Sequence, residues 1–232
     1  MGLERKGFMI NLYNKDCMEV MKDMSDNQFD LAIVDPPYGI GADVAQNKAA
    51  ENRKKAKGKN KSGRGWKEYK KTNWDNAIPT NEFFIELLRV SKRQIIWGGN
   101  YFSYLWQFSN SFIIWNKQQR EFSLADGELA WYSKTNKAMR IFDFSRGGAL
   151  ANNKNNGGRL HPTQKPVKLY EWLLMKYAKE GDTILDTHLG SGSIGIACHN
   201  LGFDLTGYEI DKEYFEAANK RIEEHKAQTR LF

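Results

Sequence analysis

Late in the chain a short apolar run, Thr183-Ile184-Leu185-Asp186, passes through Thr187-His188-Leu189 into the turn Gly190-Ser191-Gly192 and then into a helix-forming stretch from Ser193 to about Leu201. This strand–turn–helix unit constrains the fold more than any other feature. Its glycines permit a tight turn and let a ligand approach backbone N–H groups at the positive end of a helix. The next apolar run, Phe203 to Tyr208, ends at Glu209, where a carboxylate can accept hydrogen bonds from both hydroxyls of a ribose. Gly190, Gly192 and Gly195 satisfy G-x-G-x-x-G, with the acid 19 residues after Gly190. That spacing suits a dinucleotide and other adenosine-containing cofactors alike. Only 23 residues follow Glu209, so the second half of a dinucleotide fold has no room downstream and would have to lie upstream, in permuted order.

The upstream chain alternates apolar runs with helical stretches, the pattern of a sheet with crossover helices. Strands are predicted at Phe8 to Tyr13, Phe29 to Val34, Gln94 to Trp97, Ser111 to Trp115 and Glu128 to Ser133, the last as a hairpin partner at the sheet edge. Helices are predicted at Cys17 to Met24, at Asn81 to Val90 with Thr80 as N-cap, and after Pro166, which suits the first helical position. A last helix is predicted from about Lys212 to Glu224, and the Asn- and Gly-rich Gly147 to Arg159 reads as a mobile loop. One α/β domain fits the 232 residues.

Charge is unevenly spread. Gly41 to Asn73 holds eleven basic and three acidic residues, a net +8, while the remaining 24 basic and 25 acidic residues nearly cancel. Such a segment is either a solvated surface loop or a contact for a polyanion, with Lys54, Lys55, Lys57, Lys59 and Arg64 in its basic centre and Trp66 and Trp74 available for stacking. Two cysteines, Cys17 and Cys198, form no disulfide framework and point to a reducing compartment, the cytoplasm. No apolar run approaches the roughly 20 residues that span a bilayer, and Met1 to Lys6 lacks a signal-peptide core. His188, Cys198 and His199 do not have zinc-site spacing, so no metal is expected.

The other chemical motif is Asp35-Pro36-Pro37-Tyr38, at the carboxyl end of an apolar strand, where open α/β sheets place their ligands. Pro-Pro can simply end a strand. The tetrad also has a chemical use. An exocyclic amine of a nucleobase is a poor nucleophile because its lone pair is delocalised into the ring. The Asp35 carboxylate and the Pro36 carbonyl can accept its two hydrogens and draw the nitrogen towards tetrahedral geometry, while Tyr38 stacks on an everted base for about 1–3 kcal/mol.

With these residues in place, the chain resembles the DNA amino-methyltransferases that use S-adenosylmethionine, specifically their permuted β group, in which the tetrad precedes the cofactor glycine loop. His161-Pro162-Thr163-Gln164-Lys165-Pro166 resembles the segment that wraps the methionine end of the cofactor. Asn14-Lys15-Asp16-Cys17 resembles the element whose acid reaches the adenine. Ile96 to Asn100 and Leu124 to Trp131 resemble blocks of phage and prophage members. The resemblance covers most of the chain. It implies a Rossmann-like seven-stranded, mostly parallel sheet with one antiparallel strand, in one domain carrying a flexible basic insert.

The resemblance also implies catalysis by Asp35, Pro36, Pro37 and Tyr38. It implies cofactor binding by Asp16, Cys17, Asp35, Thr163, Gln164, Lys165, Asp186, His188, Gly190, Ser191, Gly192 and Glu209. The reaction implied is methylation of adenine N6 in DNA, as in restriction-modification. N4-cytosine methylation is the alternative enzyme reading, and a DNA-binding regulator without turnover the alternative of another class. An initial Asp in the tetrad leans towards adenine. The family's Asp-Pro-Phe is replaced by Asp186-Thr187-His188, which implies altered contacts to the cofactor. DNA is the expected partner, and a homodimer is one way to widen the DNA surface of so short a chain.

Overall fold

The computed structural model describes residues 8–41, 75–120, 125–156, 160, 161 and 163–228. The basic insert, with Lys54, Lys55, Lys57, Lys59, Arg64, Trp66 and Trp74, lies outside them, as does Pro162. The first half builds β1 (Ile10–Tyr13), α1 (Cys17–Met21), β2 (Leu31–Val34), α2 (Asn81–Val90) and β3 (Gln94–Trp97). A 3₁₀ turn (Ser103–Gln107) then leads to β4 (Ser111–Asn116), β5 (Gly127–Tyr132), β6 (Arg140–Asp143) and α3 (Arg146–Asn155). The chain closes with α4 (Val167–Tyr177), β7 (Thr183–Asp186), α5 (Ser193–Leu201), β8 (Asp204–Tyr208) and α6 (Lys212–Ala227).

The strands form one sheet in the order β1-β8-β7-β2-β3-β5-β4-β6. Only β5 runs against the others: it is antiparallel to β3 and β4, and the remaining neighbours are parallel. The central strand β2 is apolar throughout because both faces are covered. Side-chain alternation splits β2 between two cores. Leu31 and Ile33 join Leu169, Leu173, Ile194 and Ile222 of α4, α5 and α6 on one face. Ala32 and Val34 join Met21, Phe83, Phe84 and Leu87 of α1 and α2 on the other.

Register at the centre is pinned by Asp30. Its carboxylate accepts both the Thr183 N–H and hydroxyl at 3.0 Å, and its own N–H donates to the Thr183 carbonyl at 3.0 Å. Leu31 is thereby paired with Ile184, so Asp35 and Asp186 emerge from the same edge of adjacent strands. From β7 the chain winds outward to β8, and from β2 it winds the opposite way to β3. The carboxyl ends of β2 and β7 thus flank a topological switch point, where open sheets form their ligand crevice.

Four sequence expectations are corrected. Among the described residues the sheet has eight strands rather than seven; the additional strand is β6, whose short, polar-flanked Arg140-Ile141-Phe142-Asp143 gives little apolar signal. β5 lies between β3 and β4 rather than at the edge. Most of Gly147 to Arg159 is the helix α3: the Ser145 hydroxyl accepts the Gly148 N–H at 3.1 Å, and Ala149 is buried, so capping and packing override low helix propensity. Pro166 is the N-cap of α4, one residue before the first helical position.

Candidate active site

At the switch point lies a cleft of about 1110 Å³ whose walls include Asp35, Pro36, Pro37 and Tyr38 on one side and His188, Gly190, Ser191 and Glu209 on the other. Two loops separated by some 150 residues in sequence therefore share one chamber. A smaller cavity of about 270 Å³, lined by Asp16, Cys17, Phe83, His188, Glu209 and Ile210 among others, lies beside it and shares His188 and Glu209 with it.

The tetrad loop is held by Asp75, a buried residue that no sequence motif marks. Its Oδ1 accepts the Tyr38 N–H at 2.7 Å and the Gly39 N–H at 2.9 Å. The Tyr38 ring is stacked on Tyr101, with centroids 5.2 Å apart, and meets Phe102 edge-on. Its hydroxyl donates to Asp35 Oδ1 at 2.6 Å. Burial, then the neighbouring Asp35 charge, push the Tyr38 phenol well above its usual value, so it stays protonated.

The Lys165 ammonium is almost fully enclosed and serves three groups. It lies 2.5 Å from Asp35 Oδ2, 3.1 Å from Glu128 Oε2, and donates to the Tyr38 hydroxyl at 3.1 Å. Lys117 in turn pairs with Glu128 Oε1 at 2.7 Å. Two carboxylates and two ammoniums thus alternate across the floor of the cleft. Burial opposes charge on Glu128, but Lys165 and Lys117 outweigh it and hold its carboxyl at about 2. Burial pushes Asp35 upward, against the pull of Lys165, while the two carboxylates keep Lys165 protonated against burial. Glu128 and Lys117 were not singled out as site residues; the legible signal was Glu128 within the Leu124 to Trp131 block.

The glycine loop forms the other wall. Glu209 Oε2 accepts the Gly190 N–H at 2.8 Å and Oε1 accepts the Asp211 N–H at 2.9 Å. A Cβ at Gly190 would meet no atom closer than 3.8 Å, which leaves space for a ligand against the loop. Gly192 and Gly195 have a different cause: a Cβ there would lie 2.9 and 2.4 Å from Ile222 Cδ1, so these glycines seat α6. Arg221, buried on α6 and also missed from sequence, donates to the Ser191 carbonyl at 2.7 Å and pins the turn.

Asp186 lies beneath the loop rather than on either cavity wall and accepts the His188 N–H at 3.0 Å. Burial pushes its carboxyl up to about 8. The His188 ring meets Phe83 edge-on at 5.2 Å, and burial pushes its imidazole down to about 4, leaving it neutral near pH 7. Asp16 caps α1 through the Met18 N–H at 2.8 Å and faces the smaller cavity with Cys17, whose thiol burial pushes up to about 12. Thr163 and Gln164 line the main cleft. Gln164 Oε1 accepts the Leu160 N–H at 2.7 Å, and the Thr163 hydroxyl lies 3.0 Å from His161 Nδ1.

A family model described as DNA methylase, of the N6/N4 type, matches residues 29–220, which takes in both walls of the cleft and the Lys165 segment. The chain belongs to the N6/N4 DNA methylase family. Among its relatives is Type II methyltransferase M.HpaI of Haemophilus parainfluenzae, 27% identical over 90% of this chain and 72% of that protein. Another is Type II methyltransferase M2.DpnII of Streptococcus pneumoniae, 26% identical over 91% of this chain and 89% of that one. The fold is shared with M1.HpyAVI, solved as its SAM complex, at TM-score 0.58 and 23% identity, covering 92% of this chain and all of that one. It is shared equally with PvuII DNA methyltransferase, described as cytosine-N4-specific, at TM-score 0.58 and 14% identity, covering 97% and 89% of the two chains. Likeness of fold therefore does not select the base. Among the described residues no helix is long and apolar enough to cross a membrane.

Proposed function

We propose that this methylase transfers a methyl group from S-adenosylmethionine to the N6 amine of adenine in DNA, as a permuted β-group enzyme of the phage-like kind. The observation that carries the reading is the shared cleft: the tetrad and the glycine loop face one another across a chamber of about 1110 Å³. The residues present suit the cofactor. Glu209 offers a carboxylate at the end of β8 for ribose hydroxyls, and Gly190 leaves the loop open to close approach. Asp16, Phe83 and the neutral His188 enclose a small cavity for the adenine ring. Thr163 and Gln164 flank the methionine end.

When bound, S-adenosylmethionine supplies an electrophilic methyl on a cationic sulfur. The protein's part is to present the amine. Asp35 Oδ1, which accepts the Tyr38 hydroxyl, and the Pro36 carbonyl receive the two amine hydrogens and aim the nitrogen lone pair across the cleft. Pro37 stiffens the loop, and Tyr38 releases its hydroxyl bond and offers its ring face to the base. A charge-assisted contact to Asp35 strengthens as positive charge arrives on the nitrogen. The proton leaves only after that nitrogen has become cationic, so no strong base is required.

The initial Asp of the tetrad supports adenine over cytosine. The basic insert, through Lys54, Lys55, Lys57, Lys59 and Arg64, is assigned to DNA phosphates, with the protein working in the cytoplasm as one methyltransferase domain. Digesting DNA methylated by the protein to nucleosides and identifying the product by mass spectrometry tests the assignment. N6-methyladenine supports it, N4-methylcytosine establishes the cytosine reading, and the absence of any methylated nucleoside leaves a regulator.

A further inference from the structure

Behind Asp35 lies a second ion pair, Glu128 with Lys117. A buried carboxylate and ammonium contribute little net stability compared with apolar residues of similar volume. Yet Glu128 and Lys117 face the same cleft as Asp35, and Glu128 reaches Lys165 from the one antiparallel strand. Lys165 opposite Asp35 alone would be a closed pair. In the structure both Asp35 oxygens are engaged, Oδ2 by the ammonium at 2.5 Å and Oδ1 by the Tyr38 hydroxyl at 2.6 Å. With Glu128 at 3.1 Å, the ammonium is shared between two carboxylates and the four charges sum to zero.

We propose that Glu128, itself steadied by Lys117, is a positioning residue of the methyl-transfer site, which takes a share of the Lys165 ammonium and so leaves the Asp35 carboxylate able to take the amine of the target base. The inference rests on the proposed role of Asp35. Its physical content is a sign. Removing the Glu128 charge leaves the quartet at +1, where positive charge must arrive on the base nitrogen. Removing the Lys117 charge leaves it at −1. The groups facing Asp35 are Tyr38 on its own loop, Lys165 ahead of α4, Tyr170 on α4, Glu128 on β5 and Asp186 on β7. Of these only Glu128 is bonded to Lys117.

The test compares Glu128→Gln and Lys117→Met, both close in volume to the parent residues, by single-turnover transfer of tritiated methyl to DNA between pH 5 and 9. For Glu128→Gln the expected result is a rate lower by roughly tenfold to a hundredfold, with the acid limb of the profile moved to lower pH because a repelling charge beside Asp35 is gone. For Lys117→Met the acid limb moves to higher pH. Cofactor affinity by calorimetry stays within about threefold in both, since neither residue is assigned a cofactor contact. A packing defect shared by the two variants cannot move the limb in opposite directions. Acid limbs that stay fixed or move the same way overturn the inference. If Glu128→Gln does not fold, the direction of the Lys117→Met shift decides. An Asp35→Ala control separates the two levels. Methylation that survives it overturns the role of Asp35 itself, whereas lost methylation with unshifted limbs in the other variants overturns only the role of Glu128.

Discussion

Replacing Gly98 by alanine perturbs the tetrad without touching any polar group of the site. Gly98 follows β3 with φ +78°, and a Cβ there would lie 2.4 Å from Tyr38 Cε1, 2.5 Å from Cδ1 and 3.0 Å from Cζ. Ordinary contact begins at 3.4 Å, so the ring must retreat by about 1 Å. Its retreat is obstructed by the stacked Tyr101 and the edge of Phe102. The left-handed backbone costs roughly 1–2 kcal/mol for a residue with a Cβ, and the forced repacking about 1–3 kcal/mol, giving about 2–5 kcal/mol in all. A 1 Å displacement of the stacking ring costs on the order of 100-fold in rate. Gly181→Ala is the control: its φ is +82°, and no atom lies within 4 Å of the added carbon, so it carries the strain without the clash. Urea denaturation and tritium-transfer rates on both variants decide the matter. The reasoning is refuted if Gly98→Ala keeps its rate within about threefold of the parent, or loses no more stability than Gly181→Ala.

Burial raises Asp186 to about 8 in the folded chain from an ordinary 3.8. The unfolded state then holds fewer protons between those values, and stability falls as pH climbs through that window. Asp186→Asn should therefore be more stable than the parent at pH 8 by more than about 1 kcal/mol, with the gap closing near pH 4; an equal gap at both values in urea denaturation contradicts it. Because His188 is neutral near pH 7 and packs as an aromatic edge, His188→Phe should leave cofactor affinity by calorimetry within about threefold and flat from pH 6 to 8. A tenfold change would show that the imidazole, whose Nδ1 lies 2.9 Å from the Thr187 hydroxyl, also makes a polar contact with the cofactor that the phenyl ring cannot replace. Replacing Lys54, Lys55, Lys57 and Lys59 with glutamine should weaken DNA binding and reduce its salt slope by roughly 0.9 per lost phosphate contact; an unchanged slope removes the insert from the DNA surface.

What the sequence made legible follows from how local each feature is. The unit from Thr183 to Leu201 shows itself because strand, turn and helix each have their own pattern within 20 residues, and β2 because four apolar residues run straight into Asp35-Pro36-Pro37-Tyr38. The position of β5 between β3 and β4 is set by pairing with strands that precede it, which no periodicity reports. α3 has a composition that favours loops and is helical because Ser145 caps it and Ala149 is buried. The missed site residues are of the same kind. Asp75, Lys117, Glu128 and Arg221 are ordinary charged residues in one dimension. They acquire roles only when folding brings Asp75 to the Tyr38 and Gly39 N–H groups, Glu128 to Lys165, Lys117 to Glu128 and Arg221 to the Ser191 carbonyl. Lys165 was found, but as part of the cofactor segment; its contacts with Asp35 and Tyr38 depend on α4 packing behind β2.

The assignment of chemistry to this cleft is tested most directly by single-turnover methyl transfer with Asp35→Ala, a variant first shown to be folded and to bind S-adenosylmethionine with near-parental affinity. The account predicts a rate at least about 1000-fold lower, because both the carboxylate that receives one of the amine hydrogens and the charge that balances the cationic nitrogen are gone. Transfer to DNA at close to the parental rate would contradict it.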